Sequence, residues 1–430
     1  MTKKTSLTGR MYEFWFAPVS AAGFGMMRVG FGTIAFVTLF LEMPNVQRFY
    51  GPEGILPQGM VSNMVRASWR FSLLDHVGTN HVWLLYTALL ASLFCVIIGL
   101  GRKWMLLIAV VLLYSFHEYG MITLDGGDTL LRLIGFILLL SPCYTTFTVR
   151  NLWLRMKLVR DTGKDQPASE RTMPIWPYRL LLWQMILIYT ASALGKWGGN
   201  MWLEGSAVAV TLHLTDFTRL TPLVADQLSA FSPIIGYFTV ASQIAWILIL
   251  PLGFLSFFGL GSSRSTNVFK RTLLLCGLLL HGTIFVLMDV GTFSLTVFTA
   301  YLGLLLADDF RAIRQRFGLK KPIIVLFDGR CGFCKKSMLL LSMLDWLHRL
   351  EFANFHDPKL KKRYAPNIDL KHLNVAMHVR FVDGSYRKGF FAFRALTWHL
   401  PAVWLLAPLL YIPGVSLVGK AVYGWVAKHR

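Results

Sequence analysis

The 430-residue chain carries 43 Lys and Arg against 22 Asp and Glu, a formal charge of +21, yet only 15% of its residues are charged. About 60% are apolar when Gly is counted and Tyr is not, against about 45–50% in soluble domains, which excludes a disordered chain and an ordinary nucleic-acid-binding domain, whose basic charge rides on a polar surface. Five cysteines, scattered except for Cys331 and Cys334, exclude a secreted disulfide scaffold and point to one local site.

A helix that crosses a bilayer needs roughly 20 predominantly apolar residues, because its backbone groups must be paired within the segment. Such stretches are read at 20–43, 82–101, 104–122, 129–148, 178–197, 234–259, 272–289 and 293–307, about eight spans. The first follows Lys3, Lys4 and Arg10 as a signal peptide would. It is too long and lacks a small-residue cleavage site, so it is read as an uncleaved anchor.

With the N-terminus inside, alternate segments collect the cations. These are Arg102 and Lys103; Arg150, Arg155, Lys157, Arg160, Lys164 and Arg171; Arg264, Lys270 and Arg271; then Arg311, Arg314, Arg316, Lys320 and Lys321. The intervening loops carry Asp125 and Asp128, or Asp216, Arg219 and Asp226. The pattern satisfies the positive-inside rule, so the basic excess marks the cytoplasmic side. The expectation is a multi-pass protein of the cytoplasmic (inner) membrane, with the bilayer as partner and no nucleic acid.

Ionisable residues inside spans are candidates for function. Arg28, His117, Glu118, Arg132, Lys196 and His281 qualify. The topology puts His117, Glu118, Asp125, Asp128 and Lys196 toward the outer face, where a shared polar cavity would account for them. Tyr189, Ser192 and Lys196 form one helical stripe, and Asp128 and Arg132, at i and i+4, are spaced to pair. The plainer reading of Arg28 and His281 is an interhelical hydrogen bond or ion pair, and of Lys196 a lysine snorkelling to the interface. Cys95, Cys143 and Cys276 read as small buried hydrophobes, and Gly23, Gly25, Gly30 and Gly32 as helix-packing positions.

The composition changes after residue 310. A basic linker, 311–321, leads into PIIVLF, a β-branched and aromatic strand, then Asp328-Gly329, then apolar residues at helical spacing from Cys334. EFANF suggests a second strand, and VAMHVRFVDGSYRKGFFAF alternates about Asp383-Gly384, a two-residue hairpin signal. A β-α-β unit followed by a hairpin and a helix is the thioredoxin-like order. The expected architecture is an α-helical polytopic membrane bundle (1–310) followed by a small α/β thioredoxin-like domain (322–430). The Pro-interrupted tail is expected to pack on that domain or lie at the membrane surface.

Cys331-Gly332-Phe333-Cys334 falls on a turn between a strand and a helix N-terminus. Helix-terminal amides there favour an anionic sulfur at position 331, and Arg330, Lys335 and Lys336 add positive charge. Attack by Cys331 and displacement by Cys334 is dithiol exchange chemistry, which needs no cofactor. The rival, a zinc site, would have to recruit His356, His372 or His378, since no second CxxC exists.

Residues 322–430 resemble the DCC family of thiol-disulfide oxidoreductases, named for an Asp-x-x-Cys-x-x-Cys signature that Asp328, Cys331 and Cys334 match; the closing VYGWVAKHR is also similar. The resemblance implies an oxidoreductase acting on a thiol or disulfide of a protein or small molecule. His372-Leu373-Asn374 stands where thioredoxins place a cis-proline, a departure from that wider group. FYGPEGILP and YTASALGKWGGNMWLEGSAV resemble the HTTM domain, the membrane region shared with vitamin K-dependent γ-carboxylase, over residues from about 15 to 310. That resemblance implies a quinone-like ligand and places Lys196, ahead of Trp202, Glu204 and Gly205, as the base that deprotonates a reduced quinone.

Three functions follow. The first is a membrane-anchored oxidoreductase using Cys331, Cys334 and Asp328, whose membrane domain binds a quinone-like, lipid or peptide ligand near Lys196, Trp202, Glu204, His117, Asp128 and Arg132. The second is a quinone-linked or carboxylase-like enzyme of the membrane. The third is a non-enzymatic peptide maturation or export factor whose CxxC senses redox state.

Overall fold

The structure, a computed structural model, describes residues 6–55, 71–121, 124–162, 171–258, 260, 262–319 and 321–429. Lys3, Lys4, Lys164, Lys320 and the Leu56-Pro57 end of FYGPEGILP lie outside the described residues. The chain is mostly helical and divides into a helical unit, Met1–Leu152 with Ala168–Ala307, and a C-terminal unit, Trp153–Pro167 with Asp308–Arg430.

In the helical unit α1 (Leu7–Phe16) and a short strand β1 (Pro18–Ser20) precede α2 (Ala22–Glu42). Then come α3 (Val82–Ile98), α4 (Arg102–Tyr119) and α5 (Gly126–Leu140). Strand β2 (Thr172–Pro174), antiparallel to β1, leads into α6 (Trp176–Trp197). The unit continues through α7 (Ser232–Ile244), α8 (Ile249–Phe257), α9 (Ser263–Leu287) and α10 (Phe293–Gly303). Phe24, Met27 and Phe31 of α2 and Tyr86, Leu89 and Leu93 of α3 are fully buried in one core. The α2 glycines make room for close neighbours: a Cβ at Gly23 would stand 2.6 Å from the Leu302 carbonyl, and one at Gly32 2.9 Å from the Ile97 side chain.

Helices occupy all eight expected segments, but three candidates among the described residues are long and apolar enough to cross a membrane: Ala22–Tyr50, Ser232–Phe257 and Arg264–Leu287. Such helices point to a membrane protein. The others fall short for visible reasons. Helix α4 carries Arg102, Lys103 and Glu118, and α5 stops at Leu140, before Pro142. Boundaries move as well. The segment expected at 272–289 begins at Ser263, because Ser262 caps the Arg264 amide at 3.2 Å, so Lys270 is inside the helix rather than in a loop. Lys270 is buried, and its ammonium donates to the Leu304 carbonyl at 3.0 Å, capping the end of α10.

The main segment of the C-terminal unit opens with α11 (Ala307–Phe317), whose first residue belongs to the helical unit, and β3 (Ile323–Phe327). The unit continues through α12 (Gly332–Leu344), β4 (Leu350–Asn354), α13 (Pro358–Tyr364), α14 (Leu370–Val375), β5 (His378–Arg380) and β6 (Tyr386–Lys388). It ends with α15 (Gly389–Thr397) and α16 (Val415–Lys428). The sheet order is β4-β3-β5-β6, with β4 parallel to β3 and the other pairs antiparallel. Strand β3 is apolar throughout because both faces are covered. Ile323 and Val325 join a cluster with Met338, Val379 and Leu396; Ile324 and Leu326 join Ala353, Phe355 and Leu373. This is the expected β-α-β, hairpin and helix.

The hairpin itself corrects the two-residue reading. Arg380 pairs with Tyr386 and the Phe381 amide donates to the Ser385 carbonyl at 2.9 Å, so Val382, Asp383 and Gly384 form a three-residue loop, with Gly384 at φ 85°. The tail packs on its own unit. Gly419 of α16 lies against Phe390, and the Tyr423 hydroxyl accepts the Met377 N–H at 2.9 Å.

Candidate functional site

The dithiol stands where central strand β3 hands over to α12. Cys331 is the N-cap residue of α12, in extended conformation, and its Sγ accepts the Cys334 amide at 3.2 Å. Cys331 is partly exposed, whereas Cys334 is buried at 8% exposure. One sulfur is therefore open to a partner and the other waits one turn behind it, the division of labour that attack and resolution require. Exposed Arg330, Lys335 and Lys336 surround the turn with positive charge.

Asp328 shapes the loop that delivers Cys331. Its Oδ1 accepts the Arg330 amide at 2.8 Å and its carbonyl accepts the Cys331 amide at 3.3 Å. The same Oδ1 is 3.0 Å from His356 Nε2. Burial pushes the Asp328 carboxyl up, but the Arg330 amide and the His356 imidazole outweigh it and hold the group below its ordinary value. Asn354 completes the clamp: its Oδ1 accepts the Gly329 amide at 3.0 Å and the His356 amide at 3.1 Å. Position 329 has to be glycine for this, since a Cβ would collide with the Asn354 amide group.

His356 and Asn354 are the site residues that motif reading missed. His356 entered only as a zinc candidate, and here it is Asp328's partner instead. The parallel register Phe327↔Asn354 brings the end of β4 beside the loop, which no local spacing reveals. His378 is buried on β5, with Nδ1 2.8 Å from the Ala376 carbonyl. No group of three His, Cys, Asp or Glu side chains among the described residues is placed to hold a metal.

In the helical unit the candidates fall into two groups. Arg132 Nη1 is 2.5 Å from Glu118 Oε1, so its partner lies on α4 and not at the expected Asp128. Asp128 is engaged elsewhere, in a reciprocal capping box with Asp125 at the start of α5, and its Oδ1 is 4.0 Å from His117 Nε2. Lys196 Nζ donates to Ser192 Oγ at 2.6 Å and lies 5.2 Å from the Trp202 ring centre. One turn before Ser192, the Tyr189 hydroxyl is 2.9 Å from His281 Nε2 and bonds the Tyr301 hydroxyl, with Trp246 stacked on Tyr189. His281 thus makes the interhelical hydrogen bond of the plainer reading. Glu204 is exposed on a turn whose Gly205 carbonyl is held by Ser232 Oγ at 2.5 Å. Arg28, fully buried, spends its guanidinium on backbone carbonyls: Val96 and Ile97 at the end of α3, and Cys143, Thr146 and Phe147 after α5.

Residues 325–430 match the family model described as DCC1-like thiol-disulfide oxidoreductase. The match begins within β3, covers the dithiol turn and all that follows, and supports a thiol-disulfide redox role for that segment. No curated protein and no solved structure matches the chain.

Proposed function

We propose that the protein is a membrane-anchored thiol-disulfide oxidoreductase in which Cys331 is the nucleophile, Cys334 the resolving thiol and Asp328 the residue that positions the loop. The observation that carries this reading is the Cys331 sulfur, partly exposed at the N-cap of α12 and hydrogen-bonded to the amide of the residue that resolves it. The Cys331 thiolate attacks a substrate disulfide, forming a mixed disulfide and releasing one substrate thiolate, which takes up a proton. Cys334, deprotonated in turn, displaces the second substrate sulfur and closes the Cys331–Cys334 disulfide. The protein loses two electrons and the substrate gains two; an external dithiol then restores the reduced pair. No cofactor enters, and the unit works on the cytoplasmic side of about eight spans.

The test uses the full chain in detergent with dithiothreitol as reductant and insulin as substrate. Cys331→Ser is expected to reduce turnover to the uncatalysed background, and Cys334→Ser to accumulate a mixed disulfide on Cys331. An intact chain that never exceeds background would overturn the reading.

A second reading rests on Lys196, held by Ser192 and Trp202 on a stripe that leads to Tyr189 and His281. We infer a site there for a quinone-like ligand, in keeping with the HTTM resemblance, with Lys196 as its base. Lys196→Ala should weaken binding of a ubiquinone analogue to the purified chain, and unchanged binding would remove this reading.

A further inference from the structure

Helix α16 is apolar on two sides. One side is spent on its own unit, through Gly419 against Phe390 and Tyr423 against Gly389 and Met377. The other presents Leu417, Val418, Val422 and Trp425, with Leu417 68% and Trp425 64% exposed. The preceding turns add exposed Trp404, Leu409 and Ile412. An apolar surface of this kind is rare on a unit that meets only water.

Its charge is one-sided. From Gly384 to Arg430 the sequence has no Asp or Glu, while Arg387, Lys388, Arg394, Lys420, Lys428 and Arg430 all occur. The cations sit among aromatic rings: the Arg394 guanidinium is 4.4 Å from the Tyr411 ring centre and 5.0 Å from Phe391, and Lys420 Nζ is 5.7 Å from Phe391. Arg394 and Tyr411 also line a cavity of about 520 Å³ together with Arg387, Trp398 and His399. Asp383, a carboxylate that also lines it, accepts the Ser385 hydroxyl and amide at 2.7 and 2.9 Å.

We propose that this face seats on the surface of an anionic lipid bilayer, with Leu417, Val422 and Trp425 at the acyl boundary and Arg387, Arg394 and Lys420 against lipid phosphates. A helix with Trp and Leu on its outward side and Lys at the rim is built for the interfacial plane, and Trp and Tyr favour headgroup depth. The absence of acids over this stretch selects an anionic leaflet and disfavours a second copy of the same cationic face. The inference rests on the membrane reading of the helical unit and not on the dithiol chemistry.

The experiment places a photocrosslinker in the full chain, Leu417→p-benzoylphenylalanine or Val422→p-benzoylphenylalanine, reconstituted in nanodiscs of phosphatidylcholine alone or mixed with phosphatidylglycerol. Stable incorporation into the discs checks the membrane reading separately. After illumination, intact mass is expected to show a phospholipid adduct in the mixed discs. Adduct yield should fall about fivefold for each cation removed by Arg394→Gln or Lys420→Gln, the equivalent of about 1 kcal/mol per charge. Unchanged thermal unfolding of those variants shows that the fold is kept. Equal yield in neutral discs, a crosslink to the helical unit or to a second chain, or no adduct at all would each overturn the proposal.

Discussion

Asp328 does three things with one carboxylate and one carbonyl: it turns the loop at Arg330, anchors the Cys331 amide and meets His356. Because its folded value is depressed, the stability it contributes is present above its ordinary value of 3.8 and is lost as pH falls through the lower folded value. Asp328→Asn should remove that share of acid sensitivity, so that urea midpoints of mutant and parent converge at the acid end and diverge above it. Parallel curves across the whole range would mean that the carboxylate's charge contributes nothing. The Asp-x-x-Cys-x-x-Cys spacing named Asp328, Cys331 and Cys334 together, since they follow one another from the end of β3 into the first turn of α12. His356 stayed hidden because it is 28 residues from Asp328 in sequence and arrives only through strand pairing. The Asp128–Arg132 pairing failed for a related reason: helical spacing counts neighbours on one helix, and Asp125 and Glu118 were better placed for capping and for charge.

At the level of elements, strands and helix faces were legible wherever burial is periodic. Strand β3 has both faces covered and reads as an unbroken apolar run; the hairpin reads by alternation, and only its loop length escaped, because Asp-Gly serves two- and three-residue loops alike. Helix ends were harder, since a cap such as Ser262 moves a boundary without changing hydropathy. Arg28 shows what a buried charge does when it has carbonyls instead of carboxylates. It donates to the Val96 and Ile97 carbonyls in the last turn of α3, where Val96 also accepts the Gly99 amide, and to the segment after α5, joining both to α2. Arg28→Met leaves the buried carbonyls without that donor, at about 1–3 kcal/mol for each group stranded. Arg28→Lys should recover only part, because an ammonium cannot reproduce the planar fork. The check is the thermal midpoint of the detergent-solubilised chain; equal midpoints for Lys and Arg would mean that charge alone matters.

Across the whole molecule the +21 charge has more than one use. Part is inside helices, as with Lys270 of α9, which caps the end of α10, and part lies on the acid-free stretch after Gly384. Sidedness is the prediction that belongs to this scale. If the basic segments face the cytoplasm, a membrane-impermeant maleimide should label Cys331 only after cells are permeabilised, with Cys331→Ser as the blank; labelling of intact cells would invert the topology. The turn into α12 has a consequence of another kind. On the proposed mechanism the attacking sulfur is also the acceptor that closes the first turn of the helix, and a neutral disulfide sulfur is a weaker acceptor than an anionic one. If the pair cycles as proposed, oxidation would loosen the hydrogen bond that ties the first turn of α12 and reduction would re-tie it.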